Sequence, residues 1–273
     1  MSTVLVTGAA RGIGKTIVTH LGAAGWDVIA GVRSQADADA LSVLPRVSAV
    51  LLDVTDDAQI AALPTLLPER LDAVVNNAGI AVSGPIEALT AAQLRRQLDV
   101  NVVGQLAVTN AVLPRLRASR GRILFISSVN GRISLPLLGA YSASKFALEG
   151  GADAMRLELK PGKSAVGVIE PAQPDTDLWR KADQSVDEME AAMTPSQRAL
   201  YAKHIVGMRK SIPMSQRLAV SADKVATVVE QALTARSPRA RYPVGIGPAV
   251  QMGVVTSLPT VIRDQLIGRI TGI

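Results

Sequence analysis

The sequence predicts a doubly wound α/β fold, in which helices cover both faces of a parallel sheet. Three observations predict it. Short apolar runs alternate with longer helix-period segments from the first residues to about residue 170. The runs are rich in Val, Ile and Leu with little polar alternation, as strands buried on both faces require. The first run leads into a glycine-rich turn that opens directly onto a helical segment.

Taken in order, strands are predicted near 3–7, 26–32, 47–52, 71–76, 121–127 and 164–170. Helices are predicted between them near 12–24, 35–44, 56–67, 91–117 and 140–160. After Pro171 the rhythm breaks. Residues 172–220, rich in Met, Gln and both charge signs, read as an insertion with helical stretches near 184–192 and 195–209. Its place after the sixth strand suits a substrate lid better than a second domain. A helix near 221–236 and a strand near 241–246 resume the pattern, and a Pro/Gly-punctuated extension follows over 247–273. The expectation is one domain over residues 1–273.

Composition narrows the chemistry. With 48% hydrophobic and 19% charged residues the chain is globular, not disordered. It has no cysteine, which excludes disulfides, thiolate metal sites, iron–sulfur clusters and a cysteine nucleophile. Two histidines, His20 and His204, cannot build a His-rich zinc site, and no metal is expected. The net charge of +6 is spread along the chain, densest near Arg236, Arg239 and Arg241, and aromatics are only 3%. That pattern does not suit nucleic acid, and a phosphorylated small molecule is a sufficient anionic partner. The opening STVLVTG carries no basic region, long apolar core or cleavage site, so the expected location is the cytoplasm. Residues 242–262 are uncharged, yet Pro243, Pro248 and Pro259 interrupt them, which argues against a transmembrane helix and leaves peripheral membrane or partner contact open.

The turn TGAARGIG places Gly8, Gly12 and Gly14 between a strand and a helix. Glycines there allow a tight turn and let the backbone approach a pyrophosphate, whose charge then faces a helix N-terminus. An acidic residue at the end of the second strand would bind the adenine ribose 2′-hydroxyl of NAD(H). Val32 and Arg33 stand there instead, and Arg11 lies in the glycine turn. Two guanidinium groups suit a 2′-phosphate, so NADP(H) is favoured over NAD(H). Asp53, followed by Val54, could reach an adenine amino group or cap the helix near 56–67.

Tyr141 and Lys145, in AYSASKFALEG, lie four apart and share a helix face. A phenol has a pKa near 10, and an ammonium beside it favours the phenolate and brings proton transfer toward neutral pH. Ser128 follows the fifth strand at its carboxyl end, where its hydroxyl could meet a substrate oxygen, and Ser127 is its immediate rival.

Together these residues resemble the short-chain dehydrogenase/reductase family, whose fold is of the Rossmann type. TGAARGIG at 7–14, Asp53, NNAG at 76–79, Asn101, Ser128, Tyr141 and Lys145 match its motifs in order and spacing, to about residue 176. The resemblance implies an enzyme in which Tyr141 is the acid/base, Ser128 positions the reacting oxygen, and Lys145 lowers the tyrosine pKa and holds the nicotinamide ribose. It implies that Asn101 anchors a water in the proton relay. Gly8, Arg11, Gly12, Ile13, Gly14, Arg33, Asp53, Val54, Asn77, Ala78, Gly79, Pro171 and Thr176 would contact the cofactor. One departure is Ala172, where the family has glycine; an added methyl there disfavours positive φ and tightens the turn. YSASKFALEG, VIEP at 168–171 and Trp179 are similar to the branch with hydroxysteroid and retinol dehydrogenases. A lid carrying Leu178, Trp179, Met189, Met193 and Met208 would suit a lipophilic alcohol or carbonyl substrate, although methionines at helical spacing also serve as ordinary core. A homodimer or homotetramer through the helices near 103–117 and 141–159 is also implied. The leading expectation is NADP(H)-dependent interconversion of a secondary alcohol and a ketone or aldehyde. A 3-oxoacyl carrier-protein reductase and a non-catalytic NADP(H)-binding sensor or scaffold are the alternatives.

Overall fold

Among the described residues, seven strands form one parallel sheet in the order Val47–Leu51, Asp27–Val32, Thr3–Thr7, Ala73–Asn76, Arg122–Ile126, Ala165–Pro171, Arg241–Val244. The computed structural model describes residues 2–172, 174–175, 182–217, 219–245 and 253–271. The strands are β1 Thr3–Thr7, β2 Asp27–Val32, β3 Val47–Leu51, β4 Ala73–Asn76, β5 Arg122–Ile126, β6 Ala165–Pro171 and β9 Arg241–Val244. Between β6 and β9, Pro174–Asp175 (β7) and Val220–Ser221 (β8) pair in parallel as a separate two-stranded sheet, too short to be read from periodicity.

Alternate residues of each strand face two cores. Val4, Val6, Val75 and Leu124 face α1 (Gly12–Ala23), α2 (Gln35–Ser42) and α10 (Ala222–Thr234). Leu5, Val74, Ile123 and Phe125 face α3 (Asp57–Leu66), α5 (Gly104–Ser119) and α6 (Gly139–Glu158). Burial on both faces removes most of each strand's apolar surface from water, at roughly 25 cal/mol per Å², and accounts for the uninterrupted Val/Ile/Leu runs. The order reverses between β1 and β4, whose carboxyl ends therefore open a crevice.

The helix predicted over 91–117 is continuous but not uniform. It comprises α4 (Ala91–Leu98), a π-helical turn at Asp99–Val103, and α5. Thr90 starts it with a capping box to Gln93. Gly104 is needed where it passes the crevice, since a Cβ there would lie 2.2 Å from the Val54 carbonyl oxygen. The helix predicted over 56–67 is capped by Asp56, whose Oδ1 accepts from Ala58 and Gln59 N–H, and not by Asp53.

The stretch predicted near 195–209 divides at Tyr201 into α8 (Pro195–Leu200) and α9 (Ala202–Arg217), after α7 (Ala182–Ala191). Val186, Met189, Met193, Ile205 and Ile212 bury one another together with Leu137, and Met208 packs on them. These methionines fill the helical segment's own core, so the expectation that Met189, Met193 and Met208 line a substrate surface is corrected. Leu178 and Trp179 lie outside the described residues. The extension ends in α11 (Thr260–Thr271), and among the described residues no helix is long and apolar enough to cross a membrane.

Candidate active site

A cleft of about 750 Å³ opens along the carboxyl ends of the central strands. Its walls include every site residue predicted from sequence that lies among the described residues, except Asn101. Thr176 lies outside the described residues.

The glycine turn forms one end. Gly8 and Gly12 have φ of +63° and +55°, the left-handed region that glycine enters at no steric cost. Gly14 lies against the turn itself: an added Cβ would be 2.2 Å from Gly8 O and 2.5 Å from Asn77 Nδ2. Asn77 ties the turn to β4, its Nδ2 donating to Thr7 O at 3.0 Å and Gly8 O at 3.1 Å. Thr7, which sequence reading did not single out, accepts at Oγ1 from the N–H of both Asn77 and Ala78. Such a cradle of glycine backbone at the start of α1 fits a dinucleotide pyrophosphate.

Arg11 and Arg33 are exposed on the cleft wall, joined by Arg95 and Arg96 of α4, which sequence reading also passed over. Asp53 Oδ1 accepts from the N–H and hydroxyl of Thr55 at 2.9 and 2.7 Å. Burial works against the Asp53 charge, but these bonds and the Arg33 charge outweigh it and hold the carboxyl below its usual range.

At the other end α6 brings Tyr141 and Lys145 over the end of β5. Lys145 is buried; its Nζ donates to Ile126 O at 2.8 Å and lies 5.8 Å from the Tyr141 ring centroid. Burial lowers its pKa to about 8, against the pull of Glu149. Tyr141 is half-buried, and burial pushes its phenol up while a hydrogen bond with Ser128 works the other way. Desolvation is the larger influence on this phenol, and Lys145 stands over its ring.

The two serines separate clearly. Ser128 Oγ caps the short turn at Val129–Gly131 by accepting from Asn130 N–H at 3.2 Å, beside Tyr141. Ser127 also borders the cleft, but its hydroxyl is taken up by Glu149, to which it donates at 2.9 Å.

Asn101, fully buried in the π-helical turn, accepts from Ile80 N–H and donates to Ile80 O and Ser144 Oγ, all at 2.9 to 3.1 Å. A π-turn shifts the side chains that follow it by about one position, which is why such turns cluster at functional sites. Gly79 separates Asn101 from Lys145; a Cβ on it would be 3.5 Å from Asn101 Oδ1 and 3.9 Å from Lys145 Nζ. Gln97 and Gln105, buried one turn to either side, bind the backbone at Ile80, Val82 and Ala78.

Ala172 is accommodated. It donates to Val244 O at 3.2 Å, continuing the β6–β9 ladder, and among the described residues the non-glycine positions with positive φ are Arg46, Arg120, Leu137 and Lys163. The methyl group therefore meets no left-handed backbone.

Beneath the site Glu170 is 2% exposed, and burial and the charge of Glu149 push its pKa up to about 7 against the attraction of Arg132 and Arg241. The ordinary value is 4.5, so between the two the folded chain holds a proton that the unfolded chain releases. The stabilisation is fully present below pH 4.5 and is lost as pH rises through about 7, up to about 3 kcal/mol. Thermal melts of the parent and Glu170→Gln at about pH 5 and about pH 8 test this: the variant's pH-dependent loss in Tm should be smaller by several degrees, and equal losses would refute it.

A parallel sheet with a glycine cradle at its switch point and a Tyr, Ser and Lys cluster facing it defines a nucleotide-dependent oxidoreductase acting on CH–OH groups. The chain belongs to the short chain dehydrogenase family, whose model matches residues 2–187. It is 34% identical to a 3-amino-tetrahydro-pyrrolizinone reductase of Xenorhabdus hominickii, across 89% of this chain and 86% of that protein. It is 31% identical to retinol dehydrogenase 5 of Mus musculus, across 97% and 87%. A short chain dehydrogenase from Burkholderia cenocepacia, solved in complex with NADP, superposes with a TM-score of 0.76 at 25% identity, covering 98% of this chain and 97% of that one.

Proposed function

We propose that the chain interconverts a secondary alcohol and a ketone or aldehyde on a lipophilic small molecule, with NADP(H) as its redox partner. The observation that carries this reading is the convergence of Tyr141, Ser128 and Lys145 on the same cleft as the glycine turn. A nicotinamide held there would supply or accept the hydride at the reacting carbon. Tyr141 gives its phenolic proton to the carbonyl oxygen in reduction and recovers it from the alcohol in oxidation. Ser128 holds that oxygen. Lys145, charged below about pH 8, holds the nicotinamide ribose and favours the phenolate as it forms. Asn101 anchors a water behind the lysine.

The glycine turn with Ile13 takes the pyrophosphate, Asp53 and Val54 the adenine, and Asn77, Ala78, Gly79, Pro171 and Thr176 the nicotinamide half. Arg11 and Arg33 take the 2′-phosphate, which favours NADP(H) over NAD(H); the NADP-bound relative supports this choice. Residues 172–220 act as the lid of one domain spanning 1–273. A lipophilic substrate is supported by the likeness to retinol dehydrogenase. Val103, Phe146 and Leu157, exposed on the helices flanking the site, favour a homo-oligomer.

The test is NADPH formation from NADP⁺ with pooled steroid, retinoid and aliphatic secondary alcohols. Turnover confined to short polar alcohols would remove the lipophilic reading. In the same assay Arg33→Ala should raise the KM for NADP⁺ about tenfold to a hundredfold, the worth of a charge-assisted phosphate contact, and leave that for NAD⁺ nearly unchanged. Equal effects on both would remove Arg33 from the 2′-phosphate.

A further inference from the structure

The face of α6 that carries Tyr141 and Lys145 continues downward. Glu149 and Asp153 follow at the same four-residue spacing, and Glu149 is 3% exposed. Its carboxyl meets Ser127 and Arg241 and shares a hydrogen bond with Glu170. Oε1 accepts from Ser127 Oγ at 2.9 Å, and Oε2 accepts from Arg241 Nε at 3.2 Å. Ser127 immediately precedes Ser128. The fit is close: a Cβ on Gly131 would lie 2.3 Å from Glu149 Oε1 and 2.7 Å from Ser127 Oγ. One buried carboxylate therefore touches the turn that presents Ser128 and sits one helical turn from Lys145.

The charged groups around this carboxylate come from every neighbouring element. Glu170 faces it from β6, Arg132 from the turn after β5 through its 3.4 Å pair with Glu170, and Arg241 from β9. Arg241 also pairs with Asp153 at 2.7 Å, and Asp153 with Arg156 at 3.0 Å. Lys145 in turn faces Tyr141 and the Ile126 carbonyl of β5, feels the charge of Glu149 on its own helix, and lies beside Gly79.

We propose that Glu149 is a positioning residue for the reaction: it pins the Ser127–Ser128 turn to α6, and its charge keeps Lys145 protonated in a buried site. The inference rests on the role of Lys145 given under Proposed function. Burial alone drives an ammonium toward its neutral form, and a carboxylate one helical turn away is the group that opposes this here. The two parts of the role are separable. Glu149→Gln keeps the volume and the acceptor for Ser127 but removes the charge. Ser127→Ala removes the tether and keeps the charge.

Both variants of the full chain are measured from about pH 6 to about pH 10, spanning the range in which a buried lysine titrates. One readout is NADPH affinity by nucleotide fluorescence, which needs no substrate. The other is kcat for NADPH-dependent reduction of 9,10-phenanthrenequinone as the probe carbonyl. In Glu149→Gln the alkaline fall in both readouts should move about one pH unit toward acid, with values at the acid end close to those of the parent. In Ser127→Ala kcat should drop about tenfold at every pH with the fall in place. A Glu149→Gln profile whose fall does not move, whatever activity is lost, overturns the proposal. If Glu149→Gln does not fold, Arg241→Gln takes its place: it leaves the Glu149 charge uncompensated, so the fall must move toward alkali, and an unmoved fall overturns the proposal equally. A parent chain that reduces no carbonyl refutes the alcohol/ketone reading instead, while the affinity profile still reports on Glu149.

Discussion

Tyr141→Phe should lower turnover by about a hundredfold to ten-thousandfold, the usual worth of a positioned general acid, while NADPH affinity changes less than about twofold. The phenyl ring keeps the packing beneath Lys145 Nζ, 5.8 Å from the centroid, and Lys145 keeps its bond to the Ile126 carbonyl. What disappears is the single proton that the carbonyl oxygen receives. The hydrogen-bonded partner Ser128 remains, but a serine hydroxyl is too weak an acid to replace a phenol. Because burial pushes the Tyr141 phenol up and Lys145 is still charged below about pH 8, the resting pair at neutral pH is a neutral phenol beside an ammonium. That is the protonation state of a donor, so carbonyl reduction should be the faster direction at neutral pH and alcohol oxidation should gain as pH rises. The check is steady-state kinetics in both directions beside NADPH titration by fluorescence. A Phe variant retaining more than about a tenth of parental turnover would remove Tyr141 from the proton transfer.

Gly14→Ala should be the most damaging single methyl in the cleft. The added Cβ would stand 2.2 Å from Gly8 O and 2.5 Å from Asn77 Nδ2. Neither neighbour can yield cheaply: Gly8 O is backbone in a turn already at positive φ, and Asn77 Nδ2 spends its protons on Thr7 O and Gly8 O. Relief of the clash must either move the turn off β4 or tilt α1 from the sheet. Overpacking of this kind costs about 1–3 kcal/mol, and the lost Asn77 bonds add about 1 kcal/mol more. For a chain of this size the melting temperature should fall by about 5–15 °C, and NADPH binding should be lost because the cradle's N–H groups no longer converge. Calorimetry and fluorescence titration would read both effects. A Gly14→Ala chain with parental Tm and affinity would show that the turn is far softer than its geometry indicates.

Much of this arrangement is legible in the sequence because it is encoded locally. Apart from the half-exposed edge strand β3, the strands from β1 to β6 are buried on both faces, so each writes itself as a short Val/Ile/Leu run. Tyr141 and Lys145 share a helix face by spacing alone, and the glycine turn lies where a strand meets a helix. Other features depend on partners far along the chain. Thr7 binds Asn77 and Ala78 across about seventy residues, and nothing local marks that threonine. Glu170 shares its environment with Glu149, Arg132 and Arg241, which only the finished sheet brings together. A usable signal did exist for the site's inner wall: Gln97, Asn101, Gln105 and Thr109, uncharged polar residues four apart, are all fully buried. The π-helical turn among them leaves no periodic trace, and the choice between Asp53 and Asp56 as a cap needed the backbone path itself. The methionines between 189 and 208 show the reverse failure, since a flexible apolar side chain suits a substrate surface and a small private core equally well.

The β9 edge strand has a consequence for how the site is completed. Arg241 enters the sheet beside β6 from the far end of the sequence, yet it is the cation that Glu149, Asp153 and Glu170 share. A chain cut before β9 would contain Tyr141, Lys145 and the nucleotide cradle but lack the counter-ion that these three carboxylates share. Pairing between strands distant in sequence slows folding, and here such a strand, β9, also completes the electrostatics below the reacting groups. The counter-ion beneath the reacting groups therefore comes from a strand that follows the site in sequence, and not from the βα units that carry the site residues.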